Sequence, residues 1–108
     1  MRPGRAISDY NRSIAIKPHW EVTYNNRGGA FREKGHFTEA VADFNKAIEI
    51  NPHYAEPYAN RGLIRLVQGR NGEAQEDFDQ ALRLDPRVRP RLAQCIKALN
   101  QQHQIGRD

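Results

Sequence analysis

The sequence predicts an all-α protein of tandem antiparallel helix-turn-helix repeats, about six helices stacked as a right-handed superhelix, an α-α solenoid. Three segments that begin at Ala6, Ala40 and Ala74 match one another at a spacing of 34 residues. Two more matching segments, which begin at Tyr24 and Tyr58, have the same 34-residue offset. Apolar residues recur in these segments at helical spacing, and glycine or proline separates them. Together these three observations predict helical pairs repeated along the chain.

The individual helices follow from the apolar spacing and from the residues that end them. Apolar side chains at i, i+4, i+7 and i+8 form one helical face, first at Ala40, Phe44, Ala47 and Ile48 and again at Ala74, Phe78, Ala81 and Leu82. Gly35 and Gly69 are expected to end the preceding helices and to allow a turn. Pro52 and Pro86 should end the second helix of each pair, because the residue before a proline disfavours the helical conformation.

The recurring residues resemble the tetratricopeptide repeat (TPR) family, in a form with an Asn-Arg-Gly motif that is typical of bacterial members. One copy carries the pattern at Tyr24, Gly28, Phe31, Ala40, Phe44 and Pro52, and the next at Tyr58, Gly62, Ala74, Phe78 and Pro86. The small residues of the pattern should let two helix backbones approach closely. The sequence departs from the pattern at Arg27 and Arg61, where leucine is preferred, and at Arg65, where an aromatic residue is preferred.

Aligned in this way, the chain is a single array with an incomplete repeat at each end. Residues 1–104 comprise a half repeat at 4–18, repeats at 21–52 and 55–86, and a C-terminal capping helix at 88–104. Residues 105–108 are expected to form a flexible tail. The last helix is polar, and Ile96 stands where Gly28 and Gly62 stand in the two complete repeats.

Arg27 and Arg61 need partners if they are partly buried, and an aspartate column with the same 34-residue spacing can supply them. Two pairings remain open. Across repeats, Asp9 would meet Arg27 and Asp43 would meet Arg61. Within repeats, Arg27 would meet Asp43 and Arg61 would meet Asp77, which leaves Asp9 alone.

The resemblance implies that the first helices of successive repeats line a concave groove. It places there Asn25, Asn26, Gly29, Glu33, Glu56, Asn60, Leu63, Val67, Gln94 and Lys97. Asn26 and Asn60 share one repeat position, at which related proteins use asparagine to bind a peptide backbone. The alternative is that these amides make contacts between helices. Leu63 and Val67 would either receive side chains of a ligand or pack against the next repeat.

A further ligand class of the family, the acidic C-terminal tail of heat-shock chaperones, is excluded by the residues present. The family holds that tail with a clamp of lysine, asparagine and arginine. The matching positions here are Asn25, Gly29, Asn60, Pro90 and Gln94, so the cations are missing.

The unpaired first half repeat suggests self-association as an alternative function. Tyr10, Ile14 and Ile16 lack the helix that would normally face them. One route is head-to-tail stacking into a ring or fibre, and the other is a two-fold dimer. Ile96 favours the dimer, because it blocks the close approach that a partner within a repeat needs.

Charge and composition bear on nucleic-acid binding, membrane insertion and cellular location. The net charge of +4 comes from residues 83–108, which hold six basic and two acidic side chains. Nucleic-acid binding by this basic end is a less favoured alternative to a solvated face. No apolar run is long enough for membrane insertion, and no signal peptide is seen, so a cytoplasmic location is expected, although the chain could be a fragment.

The sequence offers no residues for chemistry. The four histidines lack metal-ligand spacing, and the single cysteine, Cys95, has no partner for a disulfide. No catalytic residue, metal or cofactor is expected. The predicted function is therefore a scaffold that binds a protein or an extended peptide.

Overall fold

The computed structural model describes the backbone of residues 3–105 and the side chains of residues 5–101. Within that range the chain forms six α-helices, one short 3-10 helix and no strand, which confirms the all-α repeat architecture. The α-helices are α1 (Pro3–Ile16), α2 (Glu21–Glu33), α3 (Phe37–Ile50), α4 (Glu56–Val67), α5 (Asn71–Leu84) and α6 (Arg89–Ile105), with the 3-10 helix at Pro86–Val88. Of the expected tail, residue 105 ends α6, and residues 106–108 lie outside the described range.

Glycine ends the first helix of each complete repeat, as the sequence predicts. Gly35 and Gly69 have φ angles of +77° and +79°, a left-handed conformation that side chains with a Cβ rarely adopt. The Gly35 N–H donates to the carbonyl of Arg32 at 2.9 Å, and the N–H of His36 donates to the carbonyl of Phe31 at 2.9 Å. These bonds satisfy carbonyls at the end of α2 and reverse the chain, so that α3 packs back against α2.

The other two glycines of the repeat pattern allow the paired helices to approach closely. A Cβ built on Gly28 would lie 2.6 Å from Cε1 of Phe44, and one on Gly62 would lie 2.6 Å from Cε1 of Phe78. Both rings are buried, with exposed fractions of 0% and 5%. The predicted close packing of helix backbones is therefore confirmed, with a phenylalanine ring filling the space above each glycine.

The apolar core runs along the stack of helices. One cluster joins α4, α5 and α6 through Ala55, Ala59, Leu63, Ala74, Phe78, Ala81, Val88 and Leu92. A second cluster, of Ala40, Phe44 and Ile64, joins α3 to α4. The resulting body is elongated, with extents of 46 × 31 × 21 Å. Phe31 of α2 packs against the second cluster, so the two clusters together position α2, α4 and α6 relative to one another.

Candidate functional site

An arginine–aspartate pair joins the two helices of each complete repeat. Nε and Nη2 of Arg27 donate to the two carboxylate oxygens of Asp43 at 2.7 and 2.6 Å. Arg61 binds Asp77 in the same way at 2.9 and 2.7 Å. The within-repeat pairing is confirmed and the across-repeat pairing is wrong. The hydrogen bond to Asp43 raises the pKa of Arg27, against the opposing effect of burial.

Each arginine also reaches back to the preceding repeat, but its partner there is an asparagine. Nη1 of Arg27 donates to Oδ1 of Asn11 at 2.9 Å, and Nη1 of Arg61 donates to Oδ1 of Asn45 at 2.8 Å. Each arginine therefore links its own helix to the helix before it and to the helix after it. This network fixes the rotation of α2 and α4 about their axes, and therefore the direction in which their opposite faces point.

The faces of α2 and α4 that point away from this network line a polar cavity of about 430 Å³ with one end of α6. The cavity brings together six of the predicted groove residues: Asn25, Asn26, Gly29, Glu33, Glu56 and Asn60. It is also lined by Ala6, Tyr10, Ala30, Arg32 and Arg91, which the sequence analysis did not place in the groove.

The asparagines of this cavity differ in their availability. Nδ2 of Asn60 donates to Oδ1 of Asn25 at 3.0 Å, and both residues are buried. Nδ2 of Asn25 donates to the hydroxyl of Tyr54 at 3.4 Å, and burial together with the charge of Glu56 raises the pKa of that tyrosine. Asn26 is exposed. Asn26 and Asn60 share a repeat position, yet one faces solvent and the other links helices.

A second cavity, apolar and of about 300 Å³, lies further along the same helices. It contains the predicted residues Leu63 and Val67 together with Arg32, Phe37, Ile64, Cys95, Ala98 and Leu99. Val67 is 51% exposed and Leu63 is buried at 3%, so the two predicted residues contribute unequally to the open surface. Arg32 lines both cavities and therefore marks their junction.

Two arginines at these cavities were missed in the sequence analysis. Arg91 forms an ion pair with Glu56, which lies 35 residues earlier, one more than the repeat length. This spacing, close to the repeat length, is the signal in the sequence by which the Arg91–Glu56 pair could have been predicted.

Arg32 forms no ion pair with any other side chain in residues 5–101. Gln94 and Lys97 are exposed and line neither cavity.

The residues predicted for self-association lie on α1 and differ in exposure. Tyr10 and Ile14 are half-buried, whereas Ile16 is 78% exposed. Self-association through these residues stays a prediction.

The described part of the chain contains no cluster of three or more histidine, cysteine, aspartate or glutamate side chains arranged to hold a metal ion. None of the helices within it is both long and apolar enough to cross a membrane.

A stack of paired helices with a cleft along its first helices defines a class of protein, the helical-repeat scaffolds that bind other proteins. Family models agree: one described as "TPR repeat" matches residues 28–69, and one described as "Tetratricopeptide repeat" matches residues 55–88. The chain belongs to the tetratricopeptide repeat family. No curated protein matches the sequence.

Several solved structures that are similar to this chain are TPR domains. The Arabidopsis OM64 TPR domain is 30% identical over 93% of this chain and 82% of that one, with a TM-score of 0.80. The TPR2B domain of yeast Sti1, in a complex with pHsp70, is 27% identical over 93% and 84%, with a TM-score of 0.80. The first TPR of Spaghetti (RPAP3), bound to the HSP90 peptide SRMEEVD, is 28% identical over 91% and 80%, with a TM-score of 0.76.

Proposed function

We propose that this protein is an interaction scaffold whose concave face binds an extended peptide with one large apolar side chain and a nearby acidic group. The observation that carries the proposal is the junction of a polar and an apolar cavity at Arg32. Peptide binding by the TPR domains of Spaghetti and Sti1 supports the general class.

The polar cavity suits the backbone of such a peptide. The exposed carboxamide of Asn26 offers one acceptor and two donor hydrogens, which match the N–H and carbonyl of a peptide group. Asn60 contributes less, because its amide already donates to Asn25. Gly29 has no heavy atom within 4 Å of a built Cβ, so it leaves open space through which a chain can pass.

The apolar cavity suits a single aliphatic or aromatic side chain. Val67 is half exposed there, and covering it would remove apolar surface from water at ~25 cal/mol per Å². Arg32 at its edge would pair with an acidic group close to that side chain. A guanidinium that has no ion-pair partner within residues 5–101 and lies beside an apolar pocket favours carboxylate ligands, because charge-assisted hydrogen bonds are stronger than neutral ones.

The same surface disfavours the chaperone tails that the related domains bind. The clamp positions carry Pro90 and Gln94 in place of cations, and the nearby cation Arg91 is neutralised by Glu56. We therefore propose a peptide whose acidic group is recognised at Arg32 instead of at a clamp for a terminal carboxylate.

The alternative of nucleic-acid binding is weaker, because three of the basic side chains near the C-terminal end have intramolecular partners. Arg87 pairs with Asp85, Arg91 pairs with Glu56, and Arg83 donates to Gln80. Phosphate binding would have to replace these contacts, and it would fall steeply with salt.

Selection from a display library of random heptapeptides tests the proposal. The selected peptides should share one large apolar residue within two positions of an acidic residue. Val67→Glu should weaken their binding at least tenfold, and Arg32→Gln should abolish the preference for the acid. Ala42→Glu, at an exposed position of α3 outside both cavities, is the matched control and should bind as the wild type does. Selected peptides that bind Val67→Glu unchanged would remove the site from this face.

A further inference from the structure

The three second helices, α1, α3 and α5, carry equivalent residues but are covered to different extents. Asp43 and Asp77 are both 4% exposed, whereas Asp9 at the same repeat position is exposed. Phe44 is fully buried in α3, whereas Tyr10 at that position in α1 is only half-buried. Asp9 forms no ion pair with another side chain in residues 5–101.

The uncovered positions of α1 continue along a single stripe. Ser13 is partly exposed, although its equivalents Ala47 and Ala81 are fully buried, and Ile16 is 78% exposed. Positions 9, 10, 13 and 16 share one helical face. The start of this face is covered, because Ala6, one turn before Tyr10, is buried, and α1 packs against α2. From Asp9 to Ile16, this face of α1 is therefore less covered by the described residues than the equivalent faces of α3 and α5.

The covered helices show what such a face binds. The face of α3 is covered by α2, on which Arg27 donates two hydrogen bonds to Asp43. The next residue, Gly28, has no Cβ and so leaves room for the ring of Phe44. Tyr24, three residues before that arginine, lies under its guanidinium at 5.7 Å. On α5 the neighbour has the same three features, at Tyr58, Arg61 and Gly62.

We propose that the face of α1 formed by Asp9, Tyr10, Ser13 and Ile16 is a docking site for an amphipathic helix of defined chemistry. That helix carries an aromatic residue three positions before an arginine, and the arginine is followed directly by glycine. The arginine binds Asp9, and the glycine lies against the ring of Tyr10. Tyr10 also lines the polar cavity of the concave face, but the docking of a helix on α1 does not depend on peptide binding there.

The last helix of a second copy does not meet these requirements. The positions of α6 that correspond to arginine and glycine hold Cys95 and Ile96. Cys95 has no positive charge for Asp9. Ile96 would place a branched side chain where even a Cβ lies 2.6 Å from an aromatic ring in the complete repeats. Head-to-tail stacking of this chain therefore leaves the face of α1 without a fitting neighbour.

A graft tests the proposal. In the natural chain, residues 20–36 form α2 and its turn and are followed directly by Phe37, the first residue of α3. Pro3 is the equivalent first residue of α1, 34 residues earlier, so a copy of residues 20–36 placed directly before Pro3 sets the added helix in register with α1. The melting temperature should rise by about 5–10 °C, since each kcal/mol shifts a domain of this size by several degrees. The control graft carries cysteine and isoleucine at the arginine and glycine positions, as α6 does, and should give little of this rise.

A second variant separates specific docking from general stabilisation. Asp9→Asn should remove much of the rise in the grafted protein but shift the ungrafted chain by less than about 3 °C, because Asp9 is exposed there. Equal melting temperatures of the two grafts, or an equal effect of Asp9→Asn with and without the graft, would overturn the proposal.

Sedimentation velocity of the ungrafted chain over a hundredfold concentration range tests a second copy as the occupant. The proposal expects a constant monomer mass, in place of the self-association predicted from Tyr10, Ile14 and Ile16. A dimer that Tyr10→Lys abolishes would show that this face binds another copy, and would also overturn the proposal.

Discussion

Asn60 on α4 donates a hydrogen bond of 3.0 Å to the side-chain oxygen of Asn25 on α2, and both amides are buried. The bond joins two first helices across the concave face. Asn26, which follows Asn25 and shares the repeat position of Asn60, is exposed instead. Equivalent positions in successive repeats therefore have different roles. Substitution of Asn60 should mainly affect stability, and substitution of Asn26 should mainly affect binding.

Replacing Asn60 by alanine should lower the free energy of unfolding by about 1–3 kcal/mol, because buried Asn25 loses its donor. Asn26→Ala should change that free energy by less than ~0.5 kcal/mol, since the side chain is exposed. The double variant should bind selected peptides about 1–3 kcal/mol more weakly. Urea denaturation and calorimetric titration measure the two effects, and unchanged affinity would place the ligand elsewhere.

Gly28→Ala should destabilise the protein by about 1–3 kcal/mol through overpacking against the ring of Phe44. Gly29→Ala is the matched control in the same helix. Nothing lies within 4 Å of a Cβ at Gly29, so alanine there should stabilise α2 by up to ~1 kcal/mol. Thermal unfolding of the two variants should therefore shift in opposite directions, and equal shifts would contradict the close packing described here.

Asp77→Ala should lower the free energy of unfolding by about 2–4 kcal/mol. The change leaves two partly buried guanidinium groups, of Arg61 and Arg65, without the carboxylate that both bind. Asp9→Ala at the equivalent exposed position should change the free energy by less than ~0.5 kcal/mol. Chemical denaturation checks the difference, and similar values for both variants would argue against a structural role for the buried pair.

The peptide SRMEEVD, which the first TPR of Spaghetti binds, should bind this protein no better than about 1 mM, because the clamp cations are missing. Glu56→Gln should improve the affinity severalfold by releasing Arg91 from its ion pair. Fluorescence anisotropy with a labelled peptide at low salt measures both. Micromolar binding to the wild type would show that other cations replace the clamp.

Much of the fold could be read from residues whose effect is local or repeated. Gly35 and Gly69 mark the ends of helices because their backbone conformation penalises other residues, and that penalty does not depend on distant parts of the chain. Gly28 and Gly62 predict close helix packing because the 34-residue repeat identifies the rings that face them. The Arg–Asp columns predict ion pairs for the same reason, but the spacing left two pairings open.

By itself, the sequence determined the repeat length, the helical pairing, the family and the set of residues on the first helices. Only the tertiary structure decided that Arg27 binds Asp43 and not Asp9, that Asn60 is buried while Asn26 is exposed, and that Arg32 and Arg91 enter the concave face. The physical reason is that periodicity specifies which face of a helix a residue occupies. The curvature of the stack and the reach of long side chains specify which of several neighbours it meets.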